Sequence, residues 1–561
     1  MDAKVNEIEI IKARSDFLRG TLKESMADEL TGAFDPADAQ ISKFHGFYEQ
    51  DNRDRRQDRR ERFLEPDYGF MLRARLPGGV CTPEQWLVID EIGGALANRT
   101  LRLTTRQSFQ FHGIIKRDLK AAIQGINKAL IDSIGGCGDV NRNVLCNPNP
   151  VESELHGEVY GWAKRISEHL MPRTRAYHEL WLDGEQVAGG EDREPIYGAT
   201  YLPRKFKTAV AVPPHNDVDV YANDLGFVAI AQDGRLAGFN VLAGGGMGAT
   251  HGDTSTFPRL ADDLGFIPPA QTLAVAEAVV TTQRDFGDRQ DRRHARLKYT
   301  IERIGLAAFQ AEVEQRAGVT FEAPRPVHFT DHGDRYGWVK GQDARWHLTL
   351  YIENGRVKDG PLRTPMSGLR EIARIHDGDF RITPNQNLIV AGVPGARKER
   401  IQAIAREHGL LAEGRSPLRL NAIACVALPT CPQAMAEAER YFPDLLDKVQ
   451  ELSVKHGLAD VGLVMRMTGC PNGCARPYLA EVGLVGKGPG RYNLLLGGDG
   501  TGTRLNRLYQ ENLDEAGILS ALDPLLGRYA AERQEGERFG DYLVRAGIVR
   551  RVDNPAEDFH D

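Results

Sequence analysis

From Tyr68 onward, short runs rich in apolar and β-branched residues trade places with longer stretches whose apolar positions recur every three or four residues. "FMLRARL" (70–76) and "TAVAVPP" (208–214) read as strands, while "PEQWLVIDEIGGALA" (83–97) and "YGWAKRISEHL" (160–170) read as amphipathic helices. The alternation predicts a mixed α/β or α+β fold. At 561 residues the chain is too long for one ordinary core, so two to four domains are expected. Residues 1–65 stand apart. They end in "EQDNRDRRQDRRERFLEP" (49–66), dense in both charge signs and nearly free of apolar residues, and read as an arm carrying a solvated linker or helix.

The pattern also repeats. "LRLTTRQSFQFHGI" (101–114) lines up with "FRITPNQNLIVAGV" (380–393), matching Arg102 to Arg381, Thr104 to Thr383, Gln107 to Gln386 and Gly113 to Gly392. "FNVLAGGGMG" (239–248) resembles "YNLLLGGDGTG" (492–502), and more loosely "RNVLCNPNP" (142–150) resembles "NAIACVALP" (421–429). Three matches in one order predict a duplicated unit with pseudo-twofold symmetry and a ligand between its halves. The copies differ in chemistry. The first has Arg106 and His112 where the second has Asn385 and Ala391, and only the second holds clustered cysteines.

Composition is that of a globular protein, 41% hydrophobic and 27% charged. A net charge of −7 gives no general case for nucleic acid or an anionic membrane, so an anion site must be a local basic cluster. No apolar run approaches a membrane span, and the N-terminus lacks a signal-peptide core; the chain reads as cytoplasmic. In a reducing compartment, clustered thiols among seven cysteines point to metal.

Cys425, Cys431, Cys470 and Cys474 form C-x5-C and C-x3-C pairs. Four thiolates hold tetrahedral zinc or a [4Fe–4S] cluster; the spacing fits neither zinc fingers nor common ferredoxins, and inert thiols stay open as well. Pro and Gly beside the ligands favour turns that aim backbone N–H groups at sulfur. Cys81 and Cys137 read as small buried hydrophobes, and Cys146 occupies the repeat position matching Cys425. The basic residues gather in Arg73 and Arg75, Arg142, and the strand-like "LPRKFKT" with Arg204, Lys205 and Lys207. Strand alternation would put both lysines on one face, as a solvated edge or around an anion. Gly244–Gly246 permits close backbone approach to a ligand but is by itself more often just a loop, and His112 is either a core histidine or a cofactor contact.

Together "TGCPNGC", "LTTRQSFQFHG", "DVNRNVLC", "TYLPRKFKT" and "EVGLVGKGPGRYNLLLGG" resemble the sulfite/nitrite reductase family, from about Phe17 to the C-terminus. The resemblance implies an α+β, duplicated, three-domain architecture around a sirohaem–[4Fe–4S] site. It implies an N-terminal arm (1–65) for partner docking, ferredoxin-like half-repeats (66–135 with 338–411), a first sirohaem-binding domain with the anion-binding stretch (136–337) and a second domain with the cluster (412–561). Cys425, Cys431, Cys470 and Cys474 would ligate the cluster, and Cys474 would also be the axial ligand of sirohaem iron. Arg73, Arg142, Lys205 and Lys207 would hold sulfite, and Arg102, Arg106, His112, Arg204 and Gln386 fall in sirohaem-contacting segments. Sirohaem carries eight carboxylates, which a basic pocket must balance. The implied activity is six-electron reduction of sulfite to sulfide. "GGGMG" is no dinucleotide fingerprint, so NADPH would be oxidised by a partner, a flavoprotein (alpha) subunit carrying FAD and FMN. Two other readings stand beside this one: a ferredoxin-dependent sulfite or nitrite reductase of the same fold, and a zinc-stabilised anion-binding protein.

Overall fold

The computed structural model describes residues 6–149, 151–178 and 194–560. Pro150, which closes one of the repeat motifs, and residues 1–5 of the arm lie outside them. Among the described residues the strands form four five-stranded sheets, of two kinds.

The first kind is antiparallel. One such sheet runs, in spatial order, Phe47–Asp51, Tyr68–Arg73, Phe109–Ile114, Leu101–Leu103, Arg356–Val357; its counterpart runs Gly337–Lys340, Trp346–Leu350, Leu388–Val393, Asp379–Ile382, Val80–Cys81. Each borrows its last strand from the other half of the chain, so neither closes without its mate. Both central hairpins carry a register shift beside a glycine in the left-handed region, Gly113 (φ 73°) and Gly392 (φ 76°), as a glycine bulge requires. Each turn is closed by a glutamine in the same region, Gln107 (φ 49°) and Gln386 (φ 71°).

The second kind is mixed. Leu145–Cys146, Thr208–Ala211 and Leu225–Gln232 pair in parallel, then Arg235–Ala243 and Asp262–Ile267 add antiparallel. Ile423–Ala424, Met465–Thr468, Val482–Gly488, Arg491–Leu496 and Arg507–Leu513 repeat that scheme. The helices duplicate too. Pro83–Ala95 and Pro365–Ile375 both begin with proline at the first turn, where its missing N–H costs nothing, and pack on each other. The fold is thus a mixed α/β duplication, as the repeats imply. One apolar core joins the first three sheets, and a second belongs to the unit after residue 418. Among the described residues no helix is long and apolar enough to cross a membrane.

Three expectations need correction. The arm is not a separate element that leaves the site alone: Leu18, Leu22, Phe34, Ile41, Phe44 and Phe47 enter the main core, and Phe47–Asp51 is an edge strand of the first sheet. Lys12 donates to Leu202 O at 2.8 Å from within the core. The charge-dense 53–65 stretch and the segment around Leu30 stay at the surface, where Phe63 and Leu30 are each 98% exposed. Arg204–Lys207 is not strand; the strand starts at Thr208, and Phe206 alone makes a bridge, to Asn141. The glycine run approaches protein instead of an open ligand space: a Cβ on Gly245 would lie 2.1 Å from Tyr221 O.

Candidate active site

One face of the first antiparallel sheet supplies the floor. Tyr48 lies opposite Met71, Arg73 follows Met71 by two, and Gln110 lies opposite both Arg73 and Arg102. Side chains alternate with period two, so Tyr48, Arg73, Gln110 and Arg102 share that face. Arg73 donates to Gln110 Oε1 at 3.3 Å. His112 sits between Gln50 Oε1 and Thr430 Oγ1, each 3.4 Å from Nδ1, so it touches the loop that carries Cys431.

A wall of cations rises from the first mixed sheet. The Phe206 bridge buries its ring and leaves Arg204, Lys205 and Lys207 half-buried along the cavity. Arg142, whose backbone N–H donates to Phe206 O at 2.9 Å, joins them. Burial, then Arg204, Lys207 and Arg142, hold the Lys205 ammonium far below its ordinary value. Burial, then Arg296 and Arg106, push Lys207 down to about 7, with Cys474 and Asp224 pulling back. Burial, Arg142 and Arg476 lower Arg106 to about 9, although Asn223 Oδ1 (2.6 Å) and Thr208 O (3.0 Å) fix its guanidinium. Burial and Arg292 lower Arg204 to about 10. Burial and Arg356 keep His112 neutral. The nearby carboxylates are already engaged: Asp224 with Arg296 (2.7 Å), Asp139 with Arg292 (2.9 Å). Arg73 Nε, Arg106 Nε, His112 Nε2 and Gln386 Oε1 are buried without a partner among the described residues. A cationic cavity with unused donors fits a polycarboxylate group and a small anion.

The thiols close the other side. Cys425 follows Ile423–Ala424, and Cys470 and Cys474 flank the turn after Met465–Thr468. The two short strands pair in parallel, which brings both cysteine pairs to one end of the sheet. Burial pushes the Cys425 and Cys431 thiols up, Cys431 to about 12, and Cys474 and Cys470 add to the shift in each. All four are thus electrostatic neighbours. The turns aim N–H groups at sulfur: Gly469 N donates to Cys425 Sγ at 3.3 Å, and backbone N–H groups of Gln433 and Ala434 face Cys431. A single zinc would hold four sulfurs about 3.8 Å apart from its 2.3 Å bonds. Among the described residues no three such side chains are gathered tightly enough for one ion.

Cys474 is the exposed member of the four. Its backbone carbonyl accepts from Thr105 Oγ1 at 3.0 Å, and its charge is felt by both Arg102 and Lys207. Burial lowers Arg102 to about 10, with Cys425 and Cys474 opposing. Gln386 reaches the site from the other half and donates to Ala424 O at 3.1 Å. Arg142, Arg204, Lys205 and Lys207, with Arg102, Arg106 and Cys474, thus act on one another through charge. Cys81 and Cys146 are buried elsewhere with thiols pushed up by burial, but Cys137 accepts from Arg73 at 3.4 Å and borders the cavity.

Sequence reasoning missed Tyr48, Gln110 and Asn223. Tyr48 lies in a segment read as an arm, although the alternation of Phe47 and Tyr48 just before the charge run was available as a strand signal. The other copy of the unit carries a buried ion-pair cluster instead of a thiol quartet. Asp219 is paired with Arg466 (2.7 Å), Arg476 (2.9 Å) and His332 (2.8 Å), which joins the halves with buried charge satisfied.

Two family models match the chain. "Nitrite/Sulfite reductase ferredoxin-like half domain" matches residues 64–129 and 339–408, and "Nitrite and sulphite reductase 4Fe-4S domain" matches residues 161–321. The second match falls on the first copy of the duplicated unit, while the clustered thiols lie in the other copy. The chain is 72% identical to the sulfite reductase [NADPH] hemoprotein beta-component of Thiocapsa roseopersicina over 100% of both chains. It is 61% identical to the same component of Shewanella sediminis (strain HAW-EB3), over 100% of this chain and 99% of that one. The solved structure of Mycobacterium tuberculosis NirA shares the fold, with a TM-score of 0.78 at 24% identity over 96% of each chain. Full-length identity at this level, on a duplicated fold that joins a thiol quartet to a cationic cavity, shows that the chain belongs to the nitrite/sulfite reductase family.

Proposed function

We propose that the chain is the haemoprotein component of a sulfite reductase that reduces sulfite to sulfide with six electrons. The observation that carries this reading is the place of Cys474, the exposed member of four clustered thiols, whose charge acts both on Cys425 and on Lys207 of the cationic wall. In this reading Cys425, Cys431, Cys470 and Cys474 hold a [4Fe–4S] cluster in the 412–561 domain, and the Cys474 thiolate also serves sirohaem. Arg102, Arg106 and Arg204 face the sirohaem carboxylates, while His112 and Gln386 border it. When bound, these groups would supply an iron for the substrate sulfur and electrons one at a time.

The chain's own residues do the rest. Arg73, Arg142, Lys205 and Lys207 neutralise the sulfite dianion in a site where few carboxylates are left to compete. The guanidinium groups stay charged and orient the oxygens; the lysines, whose protons burial has loosened, give hydrogen bonds or protons to departing oxygens. The tight hold on Arg106 by Asn223 and Thr208 spares the site any rearrangement when an anion enters.

The relatives are named as a beta-component, and a partner subunit is implied by that name. We assign it as an NADPH-oxidising flavoprotein in the cytoplasm. The surface part of the 1–65 segment remains the proposed docking element: Phe63 and Leu30 are each 98% exposed, and Glu65 ties their segments together through Thr31 (2.8 Å). The visible spectrum and acid-labile sulfide content of the purified protein test the assignment. Sirohaem bands with about four sulfides per chain support it, and a colourless zinc protein ends it.

A further inference from the structure

We infer that Tyr48 is a substrate-contacting residue of the anion cavity, whose hydroxyl fixes the Arg142 guanidinium and donates its own proton to an oxygen of the bound oxyanion. This rests on the sulfite reading above and extends it to a segment whose sequence looks like a peripheral arm.

The geometry is specific. Tyr48 stands on the edge strand Phe47–Asp51, on the sheet face that also presents Arg73. Arg142 Nη2 donates to the Tyr48 hydroxyl at 3.2 Å, while Nε and Nη2 both reach Gly138 O at 3.2 Å. The guanidinium plane is thus pinned on two sides. A tyrosine hydroxyl that accepts one bond still has a proton to give. No acceptor for it is found among the described residues, and the residue is only half-buried beside Arg142. Lys43 lies 5.7 Å from the ring centroid and holds the ring from the arm side. Burial raises the phenol above its ordinary value, with Arg142 opposing, so the group remains an O–H donor at neutral pH.

An O–H donor beside four cations has a distinct use. Arginine and lysine neutralise charge; a fixed hydroxyl selects for an oxygen at one place. The ligand class is a small oxyanion with oxygens turned away from the haem iron. A diatomic ligand without charge or strong acceptors gains nothing from it.

The test is Tyr48→Phe in the cofactor-loaded enzyme, a change of one oxygen atom. Sirohaem and acid-labile sulfide contents are measured first, then sulfite affinity by titrating the sirohaem absorbance, then carbon monoxide affinity of the reduced enzyme. The expected result is unchanged cofactor content, a sulfite dissociation constant about tenfold higher, and carbon monoxide affinity within about twofold. An unchanged sulfite constant overturns the inference. Equal losses for both ligands, or loss of cofactor, overturn it too, because they show a structural role. If the wild-type enzyme itself gives no sulfite-dependent spectral change, the sulfite reading fails and the inference falls with it; if wild type binds and Tyr48→Phe binds equally, only the Tyr48 assignment fails.

Discussion

Arg102 and Gln386 meet on one atom. Arg102 Nη2 and Gln386 Nε2 donate to the same backbone oxygen, that of Ala424, at 2.8 and 3.1 Å. One residue comes from each half of the duplicated chain, and the shared carbonyl immediately precedes Cys425. The contact fixes the first thiol of the cluster to both antiparallel sheets at once. Arg102 is also paired with Glu439, which Arg356 holds at 2.7 Å from another strand.

Removing Arg102 therefore breaks a buried charge network, whereas removing Gln386 breaks one hydrogen bond. Arg102→Met should cost about 3 kcal/mol of stability and lower iron and sulfide content. Gln386→Ala should cost about 1 kcal/mol with the cluster retained. Denaturant unfolding and iron analysis check both; equal effects would show that the two donors do not differ in kind.

Cys474 is placed to affect two groups. Cys474→Ser should lose or alter both the sirohaem bands and the cluster signal, because serine is a poor ligand for iron where thiolate is needed. Cys81→Ser, buried on a strand of a different sheet from the quartet, should leave both intact. Paired absorption and electron paramagnetic resonance spectra decide it. Normal spectra and full activity in Cys474→Ser would remove this residue from the site.

Neutralising the wall should act on charge alone. Lys207→Ala and Lys205→Ala should each cut kcat/KM for sulfite by about a hundredfold, the scale of one lost electrostatic or proton-donating group. Cofactor content should stay nearly constant. Carbon monoxide affinity should change little. A parallel loss of carbon monoxide binding would mean that the lysines hold the haem bed and not the anion.

The cysteines and glutamines of the site are legible in the sequence for two reasons. Cysteine spacing survives folding because a turn is local, and the glutamines of the repeat hold equivalent turns: Gln107 donates to Cys146 O at 2.8 Å much as Gln386 donates to Ala424 O. What escapes is what only distance in the chain creates. The Arg466–Asp219 pair, joined across the halves, leaves no local pattern. Tyr48 is hidden by its neighbours, since the charge run beginning at Glu49 outweighs two residues of alternation. The basic stretch Arg204–Lys207 carries strand-like alternation but makes only a single bridge, Phe206 to Asn141, before the strand starts at Thr208.

Asp217 gives a pH signature independent of activity. It lines a small cavity with Asn147, Asp334 and His347, and Oδ1 has no partner among the described residues. Burial, then Asp334, push its carboxyl up to about 7, with His215 opposing. The folded protein thus keeps a proton that the unfolded chain releases above 3.8. Stability contributed by this group is present below 3.8 and is lost as pH rises toward 7. Asp217→Asn, which keeps an acceptor for Asn147 and removes the charge, should raise the melting midpoint at pH 8 by a few degrees and change it little at pH 4. A lower midpoint at pH 8 would contradict the assignment.

The most direct measurement of the central claim is product stoichiometry. The purified cofactor-loaded chain is given sulfite as sole acceptor and reduced methyl viologen as donor, without air, and sulfide and oxidised viologen are both counted. The expected result is sulfide as the product, with about six one-electron donors consumed for each sulfide released. Absence of sulfide from a protein that carries both cofactors, or turnover with nitrite alone, would contradict it.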